Sequence, residues 1–363
     1  MRIGIDARPL NVGRGGIYRY TLALLEALAA HAPEHQIRLY GRPVPMSLPP
    51  GAEWATPWFP GKRWLDQLHL LGAARDIDLF HGTNYFIPLH ASVPQVLTVH
   101  DLSVQLHPQT HPRSRRLQHR LLPSRCRSAR RIVVDSESVR ADLLGLVDLP
   151  PSRVLVVPLA AQEQFQPMDT AARERVQRML RLPNRFLLYV GALEPRKNLP
   201  ELLRAVAALR AAGASPPLVL AGSGNPSYEE RIRSLSRELN LVTGHDLFMT
   251  GFVPEDVLPA LYSSCTLLIY PSLYEGFGLP PLEAMACGAP VVIWGADALV
   301  ELYADAALIV GPEGLASTIR RVLEDSSLRA DLVRRGERRA RARSWGDVAR
   351  EMAQLYSAVV SQG

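Results

Sequence analysis

The 363-residue chain is 47% hydrophobic and 21% charged, an ordinary globular balance, and is long enough for two domains of about 100–200 residues each. It has no uncharged apolar run of about 18 residues to span a membrane, and its opening MRIGIDARPL puts Asp6 and Arg8 where a signal peptide needs an unbroken apolar core. Cys126, Cys265 and Cys287 are odd in number and spaced for neither a disulfide framework nor a metal site, so a cytoplasmic, reducing setting is expected.

Short apolar runs alternate with amphipathic stretches along the chain. RIGID (2–6), IRLYG (37–41), DLFHG (78–82), PQVLTVHD (94–101), RIVVDSE (131–137) and RVLVVPLA (153–160) read as buried strands. Between them lie helical segments such as 16–31, apolar at three- and four-residue spacing. The polar stretch 162–180 reads as a linker running into a helix, after which the alternation restarts. Further strands are expected at 185–191, 216–222, 246–252, 265–271, 289–295 and 306–311, with helices at 199–212 and 227–240. A final helix over about 316–361 is expected to break near RSWGD (343–347). Strand, helix, strand in succession predicts two α/β domains, each a doubly wound parallel sheet, facing each other across a cleft. Ligands of such sheets lie beyond the carboxyl ends of the strands, so the residues that follow each strand are the candidates.

A net charge of +6 and a pI near 9.4 favour phosphorylated ligands, anionic lipid or nucleic acid without choosing among them. Residues 113–131 hold eight arginines and no acid. They read as a solvated helix face, or as phosphate contacts on a membrane or on nucleic acid. Against the last, no aromatic is interleaved for stacking on single strands.

Behind the first strand, NVGRGGIYRY (11–20) places Gly13, Gly15 and Gly16 just before a helix. That suits a phosphate at a helix start and equally a plain turn. His100 and Asp101 end the fourth strand, and HGTNYFIPLH (81–90), with Asn84 and Tyr85, follows the third. GALEPRKNL (191–199) sets Arg196 and Lys197 together at a strand end, with Asn198 as a helix N-cap, which fits a phosphate clamp. AGSGNP (221–226) and GFVPED (251–256) are loops that could hold a flat ring. In LYEGFGLPPLEAMACG (273–288), Glu275 and Glu283 stand with seven residues between them across a turn bearing Gly276 and Gly278. Pro280 and Pro281 suit a helix start, and Glu283 is expected in its first turn, where it could simply offset the helix dipole. A phosphate clamp beside hydroxyl-binding carboxylates describes a nucleotide sugar.

GRGGI (13–17), TVHD (98–101), GALEPRKNL, GFV (251–253) and YEGFGLPPLEAMACGAPVV (274–292) run in order over nearly the whole chain. Together they resemble the retaining GT-B glycosyltransferases of family four, the group 1 type, and within it the bacterial mannosyltransferases of surface polysaccharide assembly. The resemblance implies two Rossmann-like domains. Residues 1–165 would bind the acceptor, with a helix at 345–361 packing back on them, and residues 180–343 would bind the nucleotide sugar. By matching position, Glu275 would contact the donor sugar, Glu283 the ribose, and Arg196 and Lys197 the diphosphate. Gly15 and Gly16 would close on the diphosphate, Phe277, Gly278 and Leu279 would add backbone contacts, and Val253 would lie near the base. His100 would sit near the transferred sugar as a positioning group, with Asp101, Asn84 and Tyr85 on the acceptor side. The turn IWGADALVE (293–301) departs from the family's Ser/Asn-rich pattern, and the stretch after LIVG is short.

The implied chemistry is transfer of a hexose with retention, from GDP-mannose first and a UDP-sugar second, to a glycan or lipid-diphosphate-linked acceptor. No Asp-x-Asp stands at a strand end, so no metal and no other cofactor is expected. An epimerase or phosphorylase on the same scaffold, a non-catalytic nucleotide-sugar binder and an RNA-binding protein are the alternatives. The chain's only lysines are Lys62 and Lys197, which argues against a phosphorylase that needs a pyridoxal lysine, and intact Glu275, Arg196 and Lys197 argue against the last two. The expected partners are the donor, the acceptor and, through 113–131, an anionic membrane at its inner face; nucleic acid is not expected.

Overall fold

The computed structural model describes residues 1–13, 15–55, 76–89, 91–213, 215–311 and 313–361; Arg14, Lys62 and His90 lie outside them. The chain divides into two compact units, Met1–Leu159 with Ser344–Gly363, and Ala160–Arg343.

Unit 1 is built on a seven-stranded sheet of β1 (Arg2–Asp6), β2 (Gln36–Tyr40), β3 (Ala52–Trp54), β4 (Leu79–Gly82), β5 (Gln95–Val99), β6 (Arg131–Val134) and β7 (Val154–Val156). Every pairing is parallel, in the order β3-β2-β1-β4-β5-β6-β7. β4 and β5 are buried at every position, as strands covered by helices on both faces must be. The covering elements include α1 (Gly16–His31), α2 (Ser103–Leu106), α3 (Arg113–His119), α4 (Leu122–Ser128) and α5 (Glu137–Leu146). Ser136 caps α5 by accepting from Val139 N at 3.3 Å.

Unit 2 holds a six-stranded sheet of β8 (Leu187–Val190), β9 (Leu218–Ala221), β10 (Leu247–Gly251), β11 (Leu267–Tyr270), β12 (Val291–Ile293) and β13 (Leu308–Ile309), again parallel, in the order β10-β9-β8-β11-β12-β13. Its helices are α6 (Thr170–Leu180), α7 (Leu199–Ala211), α8 (Pro226–Glu238), α9 (Leu258–Ser264), α10 (Leu279–Ala286), α11 (Asp297–Tyr303), α12 (Leu315–Glu324) and α13 (Ser326–Arg341). In both sheets the strand order reverses once, between β1 and β4 and between β8 and β11, which is where doubly wound sheets bind ligands.

Two local expectations are corrected, and one strand was not expected. The short edge strand β3 has no apolar run to announce it, since none of its residues is buried. The terminal helix breaks twice rather than once, giving α12, α13 and α14 (Trp345–Ser361). Asp325 starts α13 by accepting from Leu328 N at 2.9 Å. Ser344 and Asp347 form a reciprocal capping box ahead of α14, with bonds of 2.8 and 3.2 Å. Asn198, finally, precedes α7 in a left-handed conformation and makes no capping bond with its side chain.

Candidate functional site

At the switch point of unit 2, the loop after β8 and the loop after β11 bring their charged residues together. Arg196 and Lys197 end a short 3-10 turn, Pro195–Lys197, and Leu273 N donates to the Arg196 carbonyl at 2.9 Å, tying one loop to the other. Lys197 is buried, and its ammonium donates to Glu275 Oε1 and to the Tyr270 hydroxyl, the latter at 2.8 Å. Arg196 Nη1 reaches Glu275 Oε2 and the Tyr274 carbonyl, each at 3.2 Å, and its Nε reaches Glu194 Oε2 at 3.2 Å. Two cations and two carboxylates thus form one compensated cluster, not a pair of solvated surface cations.

The electrostatics follow from burial. Loss of solvent pushes the Lys197 ammonium down, and Arg196 beside it adds to the effect against the pull of Glu275. Burial works to raise the Glu275 carboxyl, but Lys197 and Arg196 outweigh it and hold the group below its ordinary value. Tyr270, the last residue of β11, lies under the ammonium, with Lys197 Nζ 4.9 Å from its ring centre.

The glycine-bearing turn continues from this cluster. Gly276, Phe277 and Gly278 are buried and Leu279 half-buried. Gly278 has φ 80°, and a Cβ there would lie 2.6 Å from Leu299 Cδ2, so both backbone conformation and space demand glycine. Tyr303 OH donates to its carbonyl at 3.1 Å. Pro280 and Pro281 occupy the first turn of α10, removing two amide donors that a helix start would otherwise present. Glu283 lies in the second turn rather than the first, buried, where its Oε2 accepts from Tyr262 OH at 2.8 Å. Offsetting the helix dipole therefore does not account for it. Val253, after β10, is also buried.

In unit 1, Gly15 and Gly16 are exposed at the start of α1, and Gly15, with φ 95°, takes a conformation open to glycine. His100 follows β5 and is held through both ring nitrogens, Nδ1 2.8 Å from Asp135 Oδ2 and Nε2 3.0 Å from the Thr83 carbonyl. Tyr85, held at φ 55°, accepts from Asp101 N through its hydroxyl at 3.0 Å. The Asp101 carboxylate accepts from Ser103 N and Oγ at 3.0 and 2.7 Å, so it shapes the start of α2, and Asn84 is half-buried beside Tyr85 in the loop after β4. Beneath them Tyr356 OH, both nitrogens of His81, Thr98 Oγ1 and Tyr20 OH form a buried chain with links of 2.7, 2.7 and 3.1 Å. Burial, and then the neighbouring His100, lower the His81 pKa to about 3 and keep it neutral.

Sequence reasoning missed Glu194, Tyr270, Tyr262 and Asp135. Tyr270 and Asp135 stand at the ends of β11 and β6, so the strand-end rule already applied to β5 and β8 would have found them. Among the described residues no cluster of histidine, cysteine, aspartate or glutamate is arranged to hold a metal.

Residues 172–339 match the family described as Glycosyl transferases group 1, and residues 14–162 match Glycosyltransferase Family 4. The chain is 33% identical to the O-antigen chain mannosyltransferase B of Escherichia coli over 77% of its own length and 74% of that protein. It is 35% identical to the serotype-specific mannosyltransferase WbdA of Escherichia coli over 67% of its own length but 31% of that longer protein. In fold it is similar to the sucrose-phosphate synthase of Thermosynechococcus elongatus, with a TM-score of 0.79 at 23% identity over the whole of both chains.

Proposed function

This chain belongs to the group 1, family 4 glycosyltransferases, and from that premise we propose that it moves mannose from GDP-mannose to a glycan or lipid-diphosphate-linked acceptor in surface polysaccharide or glycolipid synthesis. The observation that carries this reading is the junction of Arg196, Lys197 and Glu275 at the switch point of unit 2. The mannose assignment is supported by the 33% identity to a protein named as a mannosyltransferase. A UDP-sugar donor is the second reading.

In this scheme Glu275 orients the sugar through its hydroxyls, Glu283 holds the ribose, Phe277, Gly278 and Leu279 offer backbone, and Val253 flanks the base. Gly15 and Gly16 keep a phosphate-facing role. The bond from sugar C1 to the diphosphate oxygen breaks while the acceptor hydroxyl bonds to C1 from the same face. Its proton passes to the leaving phosphate, and the anomeric configuration is retained. Charge developing on the diphosphate is offset by Arg196 and Lys197, the kind of electrostatic stabilisation that dominates such sites, and the step needs no metal. Residues 113–131 add a peripheral contact with anionic lipid, supported by their exposed arginines and by Leu117 and Leu121, 67% and 47% exposed among them.

Thermal stabilisation by GDP, UDP and ADP and by their sugar conjugates, with and without EDTA, tests the donor site. A ligand at 100 times its Kd adds about 2.7 kcal/mol to stability. The expected result is a shift with GDP and GDP-mannose that survives EDTA and shrinks in Arg196→Ala. A shift with UDP alone would move the donor to a UDP-sugar, loss with EDTA would overturn metal independence, and no shift with any nucleotide would remove the donor site.

A further inference from the structure

The partners of His100 raise a question of proton count. Its Nδ1 faces a carboxylate oxygen of Asp135 and its Nε2 faces the carbonyl of Thr83, and both can accept. A neutral imidazole carries one N–H. With the proton on Nδ1, the lone pair of Nε2 would face the carbonyl oxygen. With the proton on Nε2, the lone pair of Nδ1 would face the ionised carboxylate. The arrangement is satisfied only when the pair holds one proton more than a neutral ring beside a charged carboxylate. Ordinary values of about 6.5 for histidine and about 3.9 for aspartate place that proton on the ring.

We propose that Asp135 is a positioning residue that holds His100 as an imidazolium, a fixed and oriented cation at the end of β5 that is thereby unable to serve as the base in glycosyl transfer. A histidine–carboxylate pair works as a base when the far nitrogen faces the reacting hydroxyl. Here the far nitrogen is closed off by Thr83.

The surroundings bear on this from every side. Tyr20 of α1 packs edge-on against the ring at 4.5 Å, and Tyr85 does so at 6.2 Å. Neutral His81 lies below on β4, Asp101 follows in the chain, and Arg115 of α3 acts on Tyr85. Burial opposes charge on His100, but Asp135, both hydrogen bonds and Asp101 outweigh it and raise the ring above its ordinary value. Burial raises Asp135 as well, against the pull of His100. The other carboxylate oxygen, Asp135 Oδ1, is buried and receives no hydrogen bond among the described residues.

The test is a titration of the histidine rings by nitrogen-15 NMR in the full-length chain, with His100 assigned by its missing signal in His100→Gln. At about pH 7.5 the wild-type ring is expected to carry protons on both nitrogens. In Asp135→Asn it is expected to carry one, with at least a tenfold weaker proton affinity, one pH unit. A neutral ring in the wild-type protein, or a charged ring indifferent to Asp135→Asn, would overturn the assignment. The wild-type titration decides the charge state by itself should the variant fail to fold. The consequence for catalysis rests on the glycosyl-transfer reading above, and the charge state does not. With GDP-mannose, kcat is expected to hold at low pH and fall as pH rises through the His100 titration, and Asp135→Asn moves that fall to lower pH. A kcat that instead rises with pH through the titration would mark His100 as a base. Absence of turnover with any donor would count against the functional reading and leave the NMR result standing.

Discussion

Lys197 shows how much one residue's setting matters. A buried ammonium is tolerated because Glu275 and the Tyr270 hydroxyl accept its hydrogen bonds, and Glu275 is tolerated because Lys197 and Arg196 flank it. Removing one partner leaves the other charged in a low-dielectric setting, which costs about 3–5 kcal/mol. Lys197→Met and Glu275→Gln are each expected to destabilise unit 2 on that scale. The double variant should lose less than the sum, because it leaves no such charge unmatched. Urea denaturation of the four proteins measures the coupling, and additive losses would disprove it. The pH sign follows from the depressed carboxyl of Glu275. Its contribution is complete above the ordinary value of 4.5 and is lost as pH falls through the lower folded-state value. Glu275→Gln should therefore flatten the acid limb of the stability curve below about pH 4.5.

Among the described α-helices, α3 stands out because it buries none of its residues. A seven-residue helix has little intrinsic stability in water, and most helices depend on a packed apolar face. Arg113, Arg115, Arg116, Leu117 and Arg120 are all exposed on and just after it, while His119 packs on Tyr85 with ring centres 4.8 Å apart. In the proposed peripheral contact, an anionic lipid surface would supply charge for the arginines and an apolar boundary for Leu117 and Leu121. Each arginine near such a surface is worth about 1 kcal/mol. Replacing Arg115, Arg116 and Arg120 by Ala is expected to weaken binding to phosphatidylglycerol vesicles by at least tenfold, and Leu117→Ser with Leu121→Ser to weaken it further. Co-sedimentation that is unchanged in the triple variant would refute the membrane contact. α10 shows a different economy. Its double proline fixes where the helix begins and strips amides from the first turn, which leaves the preceding turn and its glycines as the backbone available to a ligand.

Across the whole chain, the path leaves unit 1 after Leu159 and re-enters it at Ser344. α14 then lies along α1, where a Cβ on Gly346 would meet the His31 ring at 2.9 Å, and plants the Tyr356 hydroxyl on His81. That contact joins residues 275 positions apart in sequence and starts the buried chain through Thr98 to Tyr20, whose ring touches His100. Tyr356→Phe would leave a ring nitrogen of His81 without its partner, at about 1–3 kcal/mol. The expected outcome is a lower unfolding midpoint for unit 1 by calorimetry with unit 2 unchanged. A midpoint equal to wild type would mean that the buried chain contributes nothing to stability.

Twelve of the thirteen strands among the described residues were legible as apolar runs between turn signals, because a strand covered on both faces needs such a run wherever it lies. α1 was legible from its spacing to the residue, and the glycine-rich turn and the Arg–Lys pair were legible as strand-end chemistry. These are properties of neighbours along the chain, and the sequence by itself determined them. What only the tertiary structure decided is which of these groups meet. Lys197 finds Glu275 because β8 and β11 are adjacent in the sheet though two strands lie between them in chain order, and His100 finds Asp135 because β5 pairs with β6. Crossover connections separate such partners by 78 and 35 residues, beyond the reach of any local pattern. Burial then sets the charge on each of them, and burial belongs to the fold rather than to the chain.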